Sequence, residues 1–277
     1  MITGAASGIG RATAIATAAR GGQVFLTDIA ERGLEEVAAQ IRESSGGAVS
    51  YVKALDISDY EAVLAMAEEI HVAHGSLDIV MNIAGVSAWG SVDKLEHRHW
   101  QRMVDINLMG PIHVIECFVP AMMEADRGGH IVNVSSAAGL LALPWHAAYS
   151  ASKFGLRGVS EVLRFDLRRN DIHVSLVCPG AVATPLVDTV EIAGVNRDDP
   201  RVQKLVRRFE SRAVSPESVA DSILAGIEKN RYMVFTSRDI QIGYWFQRKF
   251  AWPYELVMRI ANDQLTAVGR RASWQDS

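Results

Sequence analysis

Tyr149 and Lys153 are the residues of this chain whose types and spacing point most directly to chemistry. They stand four positions apart, which places both side chains on one face of a helix. An ammonium group beside a phenol favours the phenolate and lowers the pKa of the tyrosine toward neutrality. Ser136, thirteen residues before the tyrosine, follows an apolar run and carries a hydroxyl that could bind the same substrate oxygen. The set predicts a site that moves a proton on or off a carbinol oxygen.

A glycine-rich turn near the amino terminus, Thr3-Gly-Ala-Ala-Ser-Gly-Ile-Gly10, predicts a nucleotide site. Gly4, Gly8 and Gly10 allow the backbone to turn tightly and to approach a pyrophosphate closely. The helix that follows begins at about Ser7, and its first N–H groups favour the charge of a phosphate. A dinucleotide bound there would supply the hydride acceptor for the tyrosine site.

The composition fits one folded α/β domain. Of the 277 residues, 49% are hydrophobic, which is ample for one core, and the net charge is −4. This charge gives no bulk electrostatic attraction to nucleic acid. Cys117 and Cys178 lie in apolar surroundings without a CxxC partner, so we expect buried, reduced thiols. We find no signal peptide and no uninterrupted apolar run of membrane-spanning length, so the expected location is the cytoplasm.

Apolar runs typical of buried parallel strands alternate with amphipathic helical stretches. The strand-like runs are 23–28, 49–57, 77–85, 130–136, 173–178 and 232–236. The helical stretches lie near 8–20, 31–43, 59–74, 96–124, 145–169 and 216–229. This order predicts an α/β fold with a doubly wound, Rossmann-like parallel sheet and helices on both faces. Right-handed crossovers bring the carboxyl ends of the strands, and the motifs at those ends, to one edge.

The motifs together resemble the short-chain dehydrogenase/reductase family, from about residue 3 to about residue 236. The glycine turn and the Ser-Tyr-Lys set are not the only matches. The family pattern also matches two segments, Asn82-Ile-Ala-Gly85 and Pro179-Gly180, and the single residue Asn107. The spacing GxxxGxG in the turn differs from the GxGxxG of other dinucleotide folds and is typical of this family.

The resemblance implies a role for each of four catalytic residues. Tyr149 would be the general acid/base, while Lys153 would lower the pKa of the tyrosine and hold the nicotinamide ribose hydroxyls. Ser136 would bind the substrate oxygen, and Asn107 would hold a water molecule that links the lysine to solvent. Ser136 is favoured over Ser135 because neighbouring strand residues face opposite ways and Ser136 has the family spacing.

The cofactor-binding set implied by the resemblance runs along the whole strand edge. Asp56 and Ile57 would contact the adenine, Ile83 replaces the second asparagine of the usual motif, and Thr184 would reach the nicotinamide carboxamide. The full set is Gly4, Ser7, Gly8, Ile9, Gly10, Asp28, Asp56, Ile57, Asn82, Ala84, Gly85, Tyr149, Lys153, Pro179, Gly180, Val182 and Thr184.

Asp28 favours NAD over NADP. A carboxylate at the end of the second strand can accept hydrogen bonds from both adenosine ribose hydroxyls, and it repels a 2′-phosphate. NADP-preferring relatives usually place a basic residue at one of two positions that are occupied here by Ser7 and Ile29.

The histidines predict no metal site, since they form no convergent set with carboxylates; those considered are His71, His74, His97, His99 and His113. His146, three residues before Tyr149, could act as a general base, but a pocket-wall or surface position is favoured.

The first strand is short, because only Met1 and Ile2 precede the glycine turn. In the family this strand is longer and central, so its loss is expected to expose neighbouring strands and to remove part of the cofactor floor. We interpret the short start as a misassigned start codon or a truncated chain. The alternative is a natural short form with weaker nucleotide binding.

The substrate side is predicted to be apolar. Its expected walls are Val86, Trp89, Ala138, Leu140, Leu143, Pro144, Trp145, Val182, Leu186 and Val187. A lid is expected at about 185–213, with Val202, Leu205, Val206 and Phe209 at helical spacing and basic residues between them at Arg201, Lys204, Arg207, Arg208 and Arg212. The basic residues indicate a solvated face or a dock for an acidic acyl carrier.

The chain is expected to form one family domain at 1–237, followed by an aromatic-rich extension at 238–277. Pro253 should break the extension into two short pieces that fold back over the pocket or a second subunit. Binding to a membrane surface is the alternative.

The sequence thus predicts an NAD-dependent oxidoreductase for a hydrophobic secondary alcohol or ketone, assembled as a homo-dimer or homo-tetramer. Two alternatives stay open: a 3-oxoacyl-thioester reductase, with NADPH as an alternative cofactor, and a non-catalytic NAD(H)-binding sensor or scaffold.

Overall fold

The structure, a computed structural model, describes residues 1–44, 48–186, 190–196, 199–211 and 213–272. Within these residues the chain forms one seven-stranded parallel sheet covered by helices on both faces. The predicted α/β doubly wound fold is confirmed. The lid residue Val187, the lid residue Arg212 and most of the turn 44–47 lie outside the described residues.

The strands are β1 (Ile2–Thr3), β2 (Gln23–Asp28), β3 (Ala48–Ala54), β4 (Ile79–Asn82), β5 (Ala88–Trp89), β6 (Gly129–Val134), β7 (Ile172–Cys178), β8 (Glu191–Ile192) and β9 (Met233–Phe235). The helices are α1 (Gly8–Ala19), α2 (Glu31–Glu43), α3 (Tyr60–His74), α4 (His97–Val104), α5 (Gly110–Ala125), α6 (Ala147–Asp166), α7 (Pro200–Glu210), α8 (Pro216–Glu228), α9 (Arg238–Lys249) and α10 (Ala251–Ala272). A π turn, Asp105–Met109, joins α4 to α5.

The strand order β3-β2-β1-β4-β6-β7-β9 reverses direction between β1 and β4. In open parallel sheets, a ligand crevice forms outside the carboxyl ends of the strands at this reversal. The glycine turn leaves β1 at that point, and the Asn82-to-Gly85 segment leaves β4 beside it. The topology therefore brings both nucleotide motifs together.

Two apolar clusters cover the two faces of the sheet. On one face, α3 and α5 pack through side chains such as Ile70 and Phe118, which are fully buried. On the other face, α1, α2 and α8 pack through side chains such as Leu34 and Ile223. Because both faces are covered, the strands are continuous apolar runs rather than alternating ones.

The helical run His97–Ala125 is long and apolar enough, by length and composition, to cross a membrane, with a mean hydropathy of 1.4 over its most apolar window. Its apolar side chains Val114, Phe118 and Met122 are nevertheless fully buried in the sheet-facing core. The run therefore serves as a core helix of this fold.

The short β1 still organises the cofactor turn. It pairs with Leu26 and Thr27 on one side and with Met81 on the other. The hydroxyl of Thr3 accepts the backbone N–H groups of Ile83 and Ala84, at 3.0 and 3.1 Å. The expectation that a short strand removes the cofactor floor is therefore wrong for the turn itself, which is formed.

The lid contains a strand that the sequence pattern did not predict. β8 pairs in parallel with β5, and the Glu191 carboxylate in β8 accepts hydrogen bonds from Arg98 at 2.6 and 3.1 Å and contacts His99 at 2.9 Å. The guanidinium of Arg98 is the main reason that the pKa of Glu191 falls to about 2. The lid is thus tied to α4 at its middle.

The carboxyl-terminal residues form two helices, as predicted, but the break and the lengths differ from the prediction. α9 ends at Lys249, because the next residue, Phe250, has a φ of −133°, which is not helical. α10 then runs for 22 residues. Pro253 lies in the first turn of α10, where a backbone N–H has no helical acceptor, so the proline does not interrupt the helix.

Candidate active site

Ser136, Tyr149 and Lys153 meet at the carboxyl edge of β6. Ser136 lies two residues after the last residue of the strand, Val134, and its hydroxyl is hydrogen-bonded to Tyr149, which lies in the first turn of α6. The Nζ atom of Lys153 lies 5.8 Å from the centre of the tyrosine ring. Ser135 points elsewhere, since its hydroxyl donates to the backbone oxygen of Lys153 at 3.0 Å. The structure therefore brings the predicted serine, and not its neighbour, to the tyrosine.

Lys153 is buried, with 3% of its surface exposed, and it donates to the backbone oxygen of Val134 at 3.0 Å. This placement needs a glycine at position 85. A Cβ on Gly85 would crowd its neighbours, since it would lie 3.3 Å from Nζ of Lys153 and 2.9 Å from Oδ1 of Asn107. Burial lowers the pKa of Lys153 to about 8, since an ammonium group loses hydration there.

The prediction that Lys153 lowers the pKa of Tyr149 toward neutrality is wrong for this geometry. Burial raises the pKa of the tyrosine, and the hydrogen bond with Ser136 only partly offsets that rise. Between the two groups, the lysine therefore loses its proton at the lower pH. The pair nevertheless shares one small site, so its protons are coupled.

Asn107 lies in the π turn and is fully buried. Its Oδ1 accepts the N–H of Val86 at 2.9 Å, and its Nδ2 donates to the oxygen of the same residue at 2.9 Å. Both polar atoms of the side chain thus bond the backbone of Val86, and the water-holding role stays a prediction. What Asn107 does is fix the chain directly after Gly85.

The glycine turn has the backbone geometry that its sequence predicted. Gly4 and Gly8 have φ values of +69° and +50°, which favour glycine. A Cβ on Gly10 would lie 1.9 Å from the oxygen of Gly4, so no other residue fits without moving the backbone. Ser7 precedes α1 without a side-chain cap, which leaves the first N–H groups of the helix for a ligand.

Asp28 lies at the far end of the same crevice. Its two carboxylate oxygens accept the backbone N–H groups of Ala6, at 3.0 Å, and Ala30, at 2.9 Å. These bonds fix the carboxylate and leave further lone pairs free on each oxygen. The next residue, Ile29, is 70% exposed and carries no charge.

A cavity of about 280 Å³ joins the glycine turn to Asp28 and reaches Gly85, which contacts Lys153. Its walls include the predicted residues Gly4, Ser7, Gly8, Ile9, Gly10, Asp28, Asp56, Ile57, Ala84, Gly85 and Thr184. A turn with positive φ, an uncapped helix start and a fixed carboxylate are the features that suit a dinucleotide, so the residues fit the cofactor that the sequence implies.

Other predicted residues lie outside the walls of this cavity. Asn82 is buried between β4 and β6, where it donates to Asn133 at 2.9 Å. The oxygen of Pro179 accepts the N–H of Ala137 at 2.7 Å, and Ile240 of α9 packs against Gly180. Val182 is buried and bridges to the chain just before α8.

The sequence profile of the short chain dehydrogenase family matches residues 1–193 of this chain. The chain belongs to the short-chain dehydrogenase family. Among the residues that the structure describes, this dehydrogenase has no group of three or more His, Cys, Asp or Glu side chains that could hold a metal ion.

Curated relatives cover most of the dehydrogenase chain. Over 234 residues, it is 35% identical to a probable oxidoreductase, EphD, of Mycobacterium tuberculosis; this match spans 83% of the chain but only 39% of the relative. It is 37% identical to a trans-4-hydroxycyclohexanecarboxylate dehydrogenase of Sinomonas cyclohexanicum, covering 78% and 82% of the two chains. It is 31% identical to a 3-oxoacyl-[acyl-carrier-protein] reductase of Thermotoga maritima, covering 81% and 87%.

Solved structures of the family are similar over nearly the whole fold. A short-chain dehydrogenase from Burkholderia phymatum in complex with NAD has a TM-score of 0.81 at 28% identity, covering 90% and 92% of the two chains. A metagenomic short-chain oxidoreductase in complex with NADP has a TM-score of 0.67 at 32% identity, covering 84% and 94%. Proteins similar to this dehydrogenase thus bind either NAD or NADP.

Sequence reasoning missed several cavity residues of the dehydrogenase, namely Leu55, Arg102, Ile106 and Pro185. Leu55, Ile106 and Pro185 are chain neighbours of the predicted residues Asp56, Asn107 and Thr184, and this adjacency was the available signal. The sequence contained no signal for Arg102, because an exposed arginine on an amphipathic helix is common and does not indicate a binding site.

The substrate side of the dehydrogenase is aromatic. The rings of Trp89 and His146 lie 4.7 Å apart, and His146 is 6.3 Å from Tyr149. Nδ1 of His146 contacts the oxygen of Pro144 at 2.7 Å, so this nitrogen carries the proton of the neutral ring. Burial lowers the pKa of His146, which keeps the ring neutral near pH 7. The neutral ring therefore lies between Trp89 and Tyr149, and its place in a pocket wall stays a prediction.

Two expected wall residues belong to the core instead. Leu140 and Ala138 are 0% and 1% exposed, and Leu140 packs against Leu176 and Cys178. The reason is that the chain enters a short 3-10 turn after Ser136, which directs this stretch inward.

In the lid, Val202 is buried, and Arg201, Lys204 and Arg207 are exposed. The side chains of Leu205, Val206, Arg208 and Phe209 lie outside the described residues.

Proposed function

We propose that this protein is an NAD-dependent oxidoreductase that interconverts a hydrophobic secondary alcohol and its ketone, with Tyr149 as the general acid/base. The observation that carries the proposal is the hydrogen bond between Tyr149 and Ser136, with the buried Lys153 beside the tyrosine ring. These groups converge next to a crevice whose turn and helix start suit a dinucleotide.

When bound, the nicotinamide would supply the hydride acceptor. Ser136 would bind the carbinol oxygen, and Tyr149 would take its proton in oxidation or return it in reduction. Lys153 would hold the ribose hydroxyls and exchange a proton with the tyrosine, which its pKa of about 8 permits near neutral pH. Asn107 would keep Gly85 and Val86 in place, so that the lysine can approach.

NAD is proposed over NADP on the strength of Asp28 and Ile29. The carboxylate is fixed by two backbone N–H groups, so it cannot turn away from an incoming 2′-phosphate without losing them. The adjacent Ile29 offers no compensating positive charge. The remaining members of the proposed cofactor-binding set are those that the sequence resemblance implies.

A hydrophobic substrate is proposed because apolar and aromatic groups surround the chemical site. Trp89 and the neutral His146 stack beside Tyr149, and the loop before the tyrosine contributes Leu143 and Pro144. The similarity to a dehydrogenase named for a hydroxycyclohexanecarboxylate suggests cyclic secondary alcohols as the first class to try.

The test is a panel of cyclic, terpenoid and steroid-like secondary alcohols with NAD or NADP, read by the absorbance of the reduced nicotinamide. We expect oxidation of at least one alcohol class, with a higher kcat/KM for NAD than for NADP. Equal efficiency with both cofactors would contradict the role of Asp28. Inactivity toward every alcohol and ketone would contradict the reaction itself.

A 3-oxoacyl-thioester reductase is the second candidate. The exposed Arg201, Lys204 and Arg207 on α7 favour it, because they could meet the acidic surface or phosphate of an acyl carrier. The similarity to an acyl-carrier-protein reductase supports it as well. Reduction of an acetoacetyl thioester that is faster than any ketone reduction, and that slows at high salt, would favour this candidate.

We further propose assembly as a homo-dimer or homo-tetramer in the cytoplasm. Val162 and Phe165 on α6 are 58% and 62% exposed, which leaves an apolar surface for a second copy. Light scattering on the purified full chain tests this, and a monomer at micromolar concentration would contradict it.

A further inference from the structure

The loop 140–146 links the short turn after Ser136 to the helix that carries Tyr149, so its shape sets the wall between them. The loop has some backbone bonds of its own, from Leu143 to Leu141 at 2.9 Å and from His146 to Leu143 at 3.3 Å, but it is strained at one residue. Trp145 has a φ of +66°, a conformation that bulky residues rarely adopt. Such a conformation persists only where the surrounding structure holds it.

One of the groups that hold this loop comes from the carboxyl-terminal helices. The hydroxyl of Tyr254, in the first turn of α10, accepts the backbone N–H of Ala142 at 2.7 Å. Ala142 is exposed, and without the tyrosine its N–H would be free to exchange with water. The contact joins parts of the chain 112 residues apart.

Apolar packing supports the same contact. Leu140 and Leu141 are buried in a small cluster with Leu176 and Cys178. Ile240, Tyr244 and Tyr254 of the carboxyl-terminal helices pack against this cluster from outside. A Cβ on Gly243 would lie 3.6 Å from Leu141, so α9 lies directly against the loop.

The same helices reach the other side of the substrate cleft. α10 contacts the lid helix α7, and Ile240 of α9 lies against Gly180, directly after β7. The loop, the lid and the end of β7 are thus all backed by one pair of helices. At the cofactor turn, the nearest neighbours of a Cβ placed on Gly4, Gly8 or Gly10 come from other parts of the chain, namely Ala84, Thr184 and the turn itself.

We propose that Tyr254 is a positioning residue that holds the loop 140–146 in its substrate-binding shape. The carboxyl-terminal helices then determine how a hydrophobic substrate fits beside Tyr149. This proposal rests on the proposed function, because the substrate whose fit is set is the secondary alcohol of that reaction.

The test compares two full-chain variants that each remove one tyrosine hydroxyl from the same helical pair. Tyr254→Phe removes the acceptor for Ala142. Tyr244→Phe is the matched control, since the Tyr244 hydroxyl accepts from Arg157 at 2.9 Å and does not bond the loop. Both substitutions keep the aromatic ring and its packing.

Two readouts separate positioning from general stability. In Tyr254→Phe, hydrogen exchange of the peptide that covers 140–146 should accelerate, and KM for the alcohol should rise about threefold to tenfold, as expected for loss of one neutral hydrogen bond. The values of kcat and of KM for NAD should stay at the wild-type level. Tyr244→Phe should leave loop exchange and the alcohol KM unchanged, at a similar melting temperature.

Unchanged loop exchange in Tyr254→Phe would overturn the proposal, as would an equal rise in KM for both variants. The exchange measurement needs no substrate. It therefore decides the positioning role even where the alcohol panel shows no turnover, and failure of the proposed function is distinguishable from failure of this one.

Discussion

The cofactor end and the substrate end of this molecule are built in different ways. At the cofactor end, short motifs follow directly after strands, and backbone atoms fix each group, as with Asp28 between Ala6 and Ala30. At the proposed substrate end, the loop 140–146 and the lid pack against the carboxyl-terminal helices, and these segments are far apart in the chain. The first end tolerates little change, and the second can vary while the chemistry stays.

The contrast has a physical origin. The pyrophosphate of any dinucleotide needs the same close backbone approach, so the turn is restricted to glycine at positions such as Gly10. A hydrophobic substrate needs only apolar volume of a suitable shape, which many side chains can supply. The loop therefore relies on distant partners such as Tyr254 rather than on a local motif.

The largest expected effect comes from Gly10→Ala at the cofactor end. The added Cβ would lie 1.9 Å from the oxygen of Gly4, so the turn must shift. We expect NAD affinity, measured by calorimetric titration, to fall by roughly tenfold or more, equivalent to about 1.4 kcal/mol. Gly158→Ala in α6 is the control, because its Cβ would meet nothing within 4 Å. That control should stabilise the protein slightly and leave NAD binding unchanged.

A smaller effect is expected from exchanging the charges at the adenosine end. Asp28→Ala combined with Ile29→Arg should shift the ratio of kcat/KM for NAD and NADP toward NADP by roughly tenfold to hundredfold, because a repulsive charge is replaced by an attractive one. Ile29 is 70% exposed, so an arginine fits there. Asp28→Asn alone tests the charge separately. An unchanged ratio in both variants would mean that the carboxylate does not face the ribose.

The pH dependence of turnover should follow the buried Lys153. Its pKa is lowered to about 8, whereas burial raises the pKa of Tyr149, so the pair loses its first proton near pH 8. Alcohol oxidation needs a site that can accept a proton, and its kcat/KM should rise with pH up to about 8 and then level off. Ketone reduction should fall above the same pH. An oxidation rate that rises only above about pH 10 would assign the ionisation to the tyrosine alone.

The smallest effect is expected on the outer ridge of α10. Trp252 is 73% exposed, although it lies only two residues before Tyr254. Trp252→Gln should change the free energy of unfolding by about 0.5 kcal/mol or less and leave the alcohol KM unchanged. A clearly larger loss of stability, measured by urea unfolding, would show that another molecule covers this ridge in solution.

The sequence was sufficient for the parts of the molecule that are encoded locally. The strand and helix order follows from periodicity, and the fold confirms it. The family resemblance favoured Ser136 over Ser135, and the structure places the Ser136 hydroxyl beside Tyr149. The strand β8 was missed because two residues give no periodicity, and its pairing with β5 joins segments about a hundred positions apart. The pKa of Tyr149 was predicted in the wrong direction because burial depth cannot be read from a four-residue spacing.

In the carboxyl-terminal extension, too, the sequence predicted local features but not the contacts between distant parts of the chain. Its aromatic composition predicted packing, and the proline predicted a break, but only the three-dimensional contacts show that the chain turns at Phe250 and that Tyr254 reaches Ala142. A proline in the first turn of a helix costs no hydrogen bond, so Pro253 did not show where α9 ends and α10 begins.

The most direct test of the proposed chemistry is Tyr149→Phe, studied by NAD titration and by turnover of the best alcohol in the panel. The substitution removes the proton-accepting hydroxyl and its bond to Ser136, but leaves the glycine turn and Asp28 untouched. We predict that NAD binding is retained and that kcat falls by about 10²–10⁴-fold, the contribution typical of general acid/base catalysis. Turnover within a few-fold of the wild-type value would contradict the account and move the role of the base to another group, with His146 as the neighbour to test next.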